Sequence, residues 1–242
     1  MKALIFNSGL GTRMKNMTED KPKCMVKLYN DETIFERQIR ILSECGIKEI
    51  IVTTGPYEDM LKDIGKKYSN IIFTFIPNKE YKTTNYIVSM NNAYDFLDDD
   101  ILLLHGDLVF NKELVQKILK NKHKSVCLYN EEKPLPEKDF KGRFDNNKLR
   151  EVSINIFDTN CYAFQPLYKL SRHTIIKWKG KVNEYVNQGI NKVYAENALN
   201  EILHKLNIVG MSYKDDYIDE IDNQDDYDKV NKEIELFDNQ IK

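Results

Sequence analysis

The sequence predicts an α/β chain with a mostly parallel sheet covered by helices on both faces, and a smaller antiparallel β excursion beside it. Three observations carry this. Short apolar runs alternate with amphipathic stretches through residues 1–124. Those runs (ALIF, EIIVT, IIFTFI, ILLLH) are apolar at successive positions, as in strands buried on both faces. After residue 124 the alternation breaks into strand-like pieces separated by a stretch rich in Pro, Gly and Asn.

The elements follow in order. Residues 3–6 read as a strand, and 33–44 as an amphipathic helix stopped by Cys45-Gly46. Strands at 49–53, 71–76 and 101–105 alternate with helices at 57–68, 84–97 and 112–120. Such alternation implies right-handed crossovers and a Rossmann-like arrangement. Further on, 125–129 and 154–164 read as strands, 166–177 and 195–206 as helices, and 208–213 as a strand. A final helix opens with acids and gains Lys229 and Lys232 later, the order that suits a helix dipole. Neither a repeat nor a linker divides the chain, so one domain over 1–242 is expected, with a core over 1–124 and a second portion over 125–242.

Composition narrows the classes of function. The 242 residues carry a net charge of −2, which provides no global basic field for nucleic acid. Apolar runs stop well short of a membrane span. Cys24, Cys45, Cys127 and Cys161 are widely spaced, fitting neither a zinc site nor a disulfide scaffold, and reduced cytoplasmic thiols are expected.

The first strand runs into NSGLGTRMKNMTEDKPK, residues 7–23. Ligands in parallel α/β folds bind beyond the carboxyl ends of strands, where this loop lies. Its glycines fit a structural turn and a phosphate loop equally. A P-loop spacing is absent, and Met14 replaces the third glycine of a dinucleotide fingerprint. Arg13 and Lys23 add a planar fork and a mobile point charge, both suited to phosphate oxygens. Asp107, in ILLLHGD, sits just past the fourth strand on the same sheet edge. Taken alone, it fits a turn or capping acid as well as a ligand for a hard cation. The scattered histidines show no metal spacing, and His105 reads as a structural strand-end residue.

Taken together, GLGTR followed by KPK resembles the pyrophosphorylase-type nucleotidyltransferases, over essentially the whole chain. That resemblance implies a GT-A-like nucleotidyltransferase fold, a nucleoside triphosphate, a small phosphorylated acceptor, and Mg²⁺. It implies catalytic roles for Arg13 and Lys23, and nucleotide contacts from Asn7, Ser8, Gly9, Gly11 and Thr12. It makes Asp107 a metal ligand also facing the nucleotide, and Asp222 of the late EID segment the second ligand. Where that family usually has two small residues before the first glycine, this chain has Asn7-Ser8. By its position alone, Asp222 also reads as a helix N-cap.

Asn85, Tyr86 and Ser89 resemble the phosphocholine cytidylyltransferase-like branch, which implies CTP, with Thr84 and Asn85 near base or sugar. The sequence is also similar to relatives that activate phosphoglutamine in capsular phosphoramidate biosynthesis. Glu196, Tyr194 and Tyr162 are the residues expected to face the acceptor, although Glu196 also reads as an exposed helix-start acid. A sugar-1-phosphate transferase and a catalytically silent nucleotide-binding module are the competing readings.

Overall fold

A computed structural model describes residues 1–9, 11, 14 and 17–240. The first half follows the sequence closely. Strands β1 (Lys2–Asn7), β2 (Glu49–Thr54), β3 (Ile72–Pro77) and β4 (Ile101–His105) alternate with helices α1 (Ile34–Glu44), α2 (Glu58–Gly65) and α3 (Tyr86–Asn92). These strands lie in the order β3-β2-β1-β4, all parallel. Their side chains alternate between two cores. Leu4, Phe6, Ile51 and Leu103 pack on one face with residues of α3, while Ala3, Ile5, Val52 and Leu104 pack on the other with residues of α1 and α2. Burial on both faces is why β1, β2 and β4 read as continuous apolar runs; β3 is the edge strand and leaves Ile72 exposed.

The sheet as a whole is mixed, which corrects the expectation of a mostly parallel one. Nine strands run β3-β2-β1-β4-β9-β6-β10-β8-β7, with β9 also paired to β7. Here β5 is Leu108–Phe110, β6 Val126–Asn130, β7 Lys141–Asp145, β8 Lys148–Ser153, β9 Cys161–Leu170 and β10 Val209–Ser212. Beyond β4 the pairings are antiparallel, except that β6 and β10 run parallel. The chain of pairings β9-β6-β10-β8-β7 returns to β9, so this half closes on itself.

Two sequence expectations fail here for one reason. The strand expected over 154–164 forms only from Cys161, as the start of β9, and no helix begins at 166, because β9 runs straight through Pro166. Proline cannot donate to a ladder and is tolerated at a bulge. The β6–β9 register jumps from Cys127↔Tyr168 to Leu128↔Gln165, skipping the proline. Helix α5 (Arg172–Asn187) starts later, capped by Ser171, whose side chain accepts from the Thr174 amide. The β7–β8 hairpin turns on Asn146 and Asn147, both at positive φ (48° and 58°), the signature of a two-residue I′ loop.

A separate two-stranded ribbon completes the fold. Strand β11 (Ile218–Glu220) pairs antiparallel with β5, matching Glu220 to Leu108. Helix α4 (Lys112–Lys120) follows β5, α6 (Ala195–Ile202) follows α5, and α7 (Gln224–Gln240) follows β11. Among the described residues, no helix is long and apolar enough to cross a membrane.

Candidate active site

Asp107 occupies the turn between β4 and β5, and α1 fixes that turn from below. The buried Gln38 amide donates to the carbonyls of His105 (3.0 Å) and Leu108 (2.8 Å), and Arg37 Nε donates to Phe110 O at 3.0 Å. From the other side, the β5–β11 ribbon delivers the late acids, with the Ile221 amide donating to Asp107 O at 3.2 Å. Residues more than a hundred positions apart in sequence thus meet.

Lys23 stands in a single 3₁₀ turn, Lys23–Met25, opened by Pro22 in an extended conformation. Its ammonium donates to Asp107 Oδ2 at 2.9 Å and to Asp222 Oδ1. Burial weighs against the charge of Lys23, but the two aspartates outweigh it and raise its pKa. Burial also works against ionised Asp107, yet the Lys23 ammonium holds its carboxyl below the usual range. Glu220 lies beside them. Burial, and then the charges of Asp107 and Asp222, push its carboxyl well above the ordinary range.

These three acids bring carboxylate oxygens within 4.8 Å of one another. Asp107 Oδ1 is buried without a hydrogen-bond partner among the described residues. Clustered oxygen donors and an unsatisfied carboxylate oxygen both suit a divalent hard cation, whose charge would relieve the mutual repulsion that raises the Glu220 pKa. The residues present therefore fit Mg²⁺. The N-cap expectation for Asp222 does not hold. Asn223 and Asp226 cap α7 reciprocally, Asp226 N donating to Asn223 Oδ1 and Asn223 N to Asp226 Oδ2, both at 3.1 Å. Asp222 turns to Lys23 instead.

Two adjoining cavities meet at Asp107. One, about 300 Å³, is walled by Asn7, Gly9, Gly11, Lys23, Gly106 and Asp107. Gly11 takes φ +65°, and a Cβ there would lie 3.2 Å from Lys23 Cβ, so glycine brings the loop against the lysine. The other cavity, about 190 Å³, is lined by Ser8, Gly9, Asn78, Thr84, Asn85, Tyr86 and His105 among others. Ser8 and Ser89 share a buried hydroxyl contact of 2.6 Å, and Asn78 Nδ2 donates to Ser89 Oγ (3.1 Å) and Thr84 Oγ1 (3.3 Å).

The MobA-like NTP transferase domain family matches residues 3–175. The chain belongs to that family. It is a nucleotidyltransferase, and several relatives frame it further. A CTP:phosphoglutamine cytidylyltransferase of Campylobacter jejuni is 34% identical over 128 residues, covering 50% of this chain and 49% of that enzyme. A choline-phosphate cytidylyltransferase of Haemophilus influenzae is 27% identical over 239 residues, covering 95% and 96% of the two chains. Among solved structures, the CTP:phosphocholine cytidylyltransferase of Streptococcus pneumoniae superposes with a TM-score of 0.78 at 21% identity, covering 96% of this chain and 98% of that one.

The nucleotidyltransferase site can now be compared with the sequence expectations. Asn7, Ser8, Gly9, Gly11, Lys23, Asp107 and Asp222 converge, and Thr84 and Asn85 border the adjoining cavity. Thr12 and Arg13 lie outside the described residues. Thr84 does not cap α3; Asn85 is its N-cap, and Thr84 Oγ1 donates to Glu80 O at 2.8 Å. Glu196 is not an exposed helix-start acid. It is 1% exposed, accepting hydrogen bonds from Tyr168 OH (2.9 Å) and Tyr86 OH.

Tyr194 stands beside Glu196 on a cavity of about 270 Å³. Tyr162 lies elsewhere, its ring 5.2 Å from Tyr129 and 6.1 Å from Phe144 in the closed half of the sheet. His105 is half-buried and edge-on to Tyr86 at 4.8 Å, and desolvation of its ring lowers its pKa. Two residues of the site lay beyond sequence reasoning. Glu220 could have been noticed in the EID segment, two positions from Asp222. Gln38 gives no signal, because a polar residue on a helix face ordinarily reads as solvent-facing.

Proposed function

We propose that the protein is a Mg²⁺-dependent cytidylyltransferase that transfers CMP from CTP to a small phosphorylated acceptor and releases pyrophosphate, with phosphoglutamine favoured and phosphocholine next. The observation that carries this is the meeting of Lys23 with Asp107, Asp222 and Glu220 beside a glycine loop. The cytidylyl donor and the two acceptors rest on similarity to the Campylobacter and Haemophilus enzymes.

The chemistry asks little of general acids or bases. An acceptor phosphate oxygen, already anionic at neutral pH, forms a bond to the α-phosphorus. The bond from that phosphorus to the α–β bridging oxygen breaks, and pyrophosphate leaves with the bonding electrons. Positioning and charge stabilisation therefore dominate the barrier. Lys23 offers its ammonium on the cavity lined by Gly9 and Gly11, where phosphate oxygens meet a buried positive charge. Arg13 is assigned a second cationic role on the sequence alone. Asp107 and Asp222, with Glu220 beside them, would hold Mg²⁺, which neutralises phosphate charge and polarises the phosphoryl group. Gln38 and Arg37 fix the turn that carries Asp107, and His105, whose pKa burial lowers, is assigned no proton transfer because the nucleophile is already an anion.

A pyrophosphate-release screen tests this reading. CTP, UTP, dTTP, ATP and GTP are each paired with phosphoglutamine, phosphocholine and glucose 1-phosphate, with and without Mg²⁺. Turnover with CTP and phosphoglutamine, dependent on Mg²⁺, is expected. Preference for UTP and glucose 1-phosphate would instead support a sugar-1-phosphate transferase, for which a Haloferax volcanii UTP–glucose-1-phosphate uridylyltransferase, 29% identical over 115 residues, is the relevant likeness. Absence of turnover in every pairing would leave a silent nucleotide-binding module.

A further inference from the structure

Glu196 and Tyr86 form a part-buried hydrogen bond between two cavities. Tyr86, at the start of α3, lines the cavity that also holds Ser8, Thr84 and His105. Glu196, in the first turn of α6, lines the cavity that holds Phe140, Ile154 and Tyr194. Asn85 borders both. Both Glu196 oxygens are engaged, one by Tyr86 OH and one by Tyr168 OH. Burial and the Glu196 charge push both phenols well above their usual pKa, so they stay donors at any working pH.

The ring of Tyr86 is held on three sides: Phe6 at 5.2 Å, His105 at 4.8 Å and Tyr194 at 5.8 Å. Its hydroxyl is the handle by which α6 fixes it. The chain's one tryptophan reports on the same place. Trp178 Nε1 donates to the carbonyl of Ala195 at 2.9 Å, and its ring lies edge-on to Tyr168 at 5.5 Å.

We propose that Glu196 is a positioning residue: it acts through Tyr86, whose ring lines the nucleotide-side cavity while Glu196 stands on the acceptor-side one, and does not itself bind the acceptor. This rests on the cytidylyltransferase reading and deepens it. An acid that met the acceptor directly would leave Tyr86 irrelevant and would affect acceptor binding alone. A contact that ties the wall of one cavity to the wall of the other affects both substrates together. A carboxylate already satisfied by two buried hydroxyls also gains nothing by releasing them to reach a ligand.

The test is a double-mutant cycle with Tyr86→Phe, Glu196→Gln and both together, in the full chain, with CTP and whichever acceptor the wild-type protein turns over. Each single variant is expected to raise KM for CTP and for the acceptor in parallel, by about 3- to 10-fold, the scale of one buried hydrogen bond. Changes in kcat should stay within about twofold, and the double variant should be no worse than the worse single, because both remove one interaction. Trp178 emission should shift in Glu196→Gln, through Tyr168, and remain as in wild type in Tyr86→Phe, which leaves the Tyr168 contact in place. That retained emission also shows that Tyr86→Phe is folded if the glutamate variant is not.

Multiplicative effects of the two substitutions would overturn the positioning role. So would a rise in acceptor KM in Glu196→Gln alone, which would make Glu196 a direct acceptor ligand. Absence of wild-type turnover overturns the activity, and the positioning role with it; wild-type turnover with either of the other patterns overturns the positioning role alone.

Discussion

The two halves of the sheet solve different problems with the same residue types. In the parallel half, glycines and polar residues stand past the strand ends. Gly106 packs so tightly against Asn7 that an added Cβ would lie 1.6 Å from Asn7 Oδ1. In the closed antiparallel half, glycines stand within strands and make room for rings. A Cβ at Gly210 would lie 2.7 Å from the Tyr129 ring, and one at Gly142 equally close to Phe164. Glycine therefore shapes a site in the first half and a core in the second.

That contrast can be broken or sharpened by substitution. The largest effect belongs to the parallel edge: Asp107→Asn should lower turnover at least about 100-fold while the melting temperature holds, since a cation ligand is lost. Pyrophosphate release and a thermal melt check this together, and retained activity would remove Asp107 from the metal site. Gly106→Ala should destabilise by about 3 kcal/mol in denaturant melts, because Asn7 and the Phe6 carbonyl must both move. Gly210→Ala should cost about 1–3 kcal/mol, the range for overpacking against rings that can shift. A larger loss at Gly210 than at Gly106 would reverse the ranking. The smallest effect should come from Asn147→Ala, about 1 kcal/mol for holding alanine in the left-handed region without the amide that donates to Gly210 O at 3.1 Å, with Asn147→Gly milder.

The halves also differed in how much the sequence disclosed. Every strand of the parallel half is visible as an apolar run; for β1, β2 and β4 burial on both faces removes ambiguity, and for the edge strand β3 the run of β-branched and aromatic residues suffices. The loop residues and Asp107 were visible because short turns keep their groups contiguous in sequence. In the antiparallel half, Pro166 was mistaken for a helix start because nothing local announces that a partner strand will bulge around it. Glu196 read as exposed because its two tyrosine partners lie 110 and 28 residues away. Glu220 was passed over for its neighbour Asp222, since only the β5–β11 register shows which late acids reach Asp107. Long-range pairing is what a single sequence hides.

The β5–β11 ribbon has a consequence for synthesis. Chains emerge from the ribosome amino end first. The glycine loop, Lys23 and Asp107 are thus made, and β1 to β4 can pair, while Glu220 and Asp222 are still untranslated. Only when residues 218–220 lie along β5 and Asp238 grips Arg37 through two contacts of 2.7 and 2.8 Å does the carboxylate cluster exist. A nascent chain can therefore shape its glycine-lined cavity before its carboxylate cluster exists.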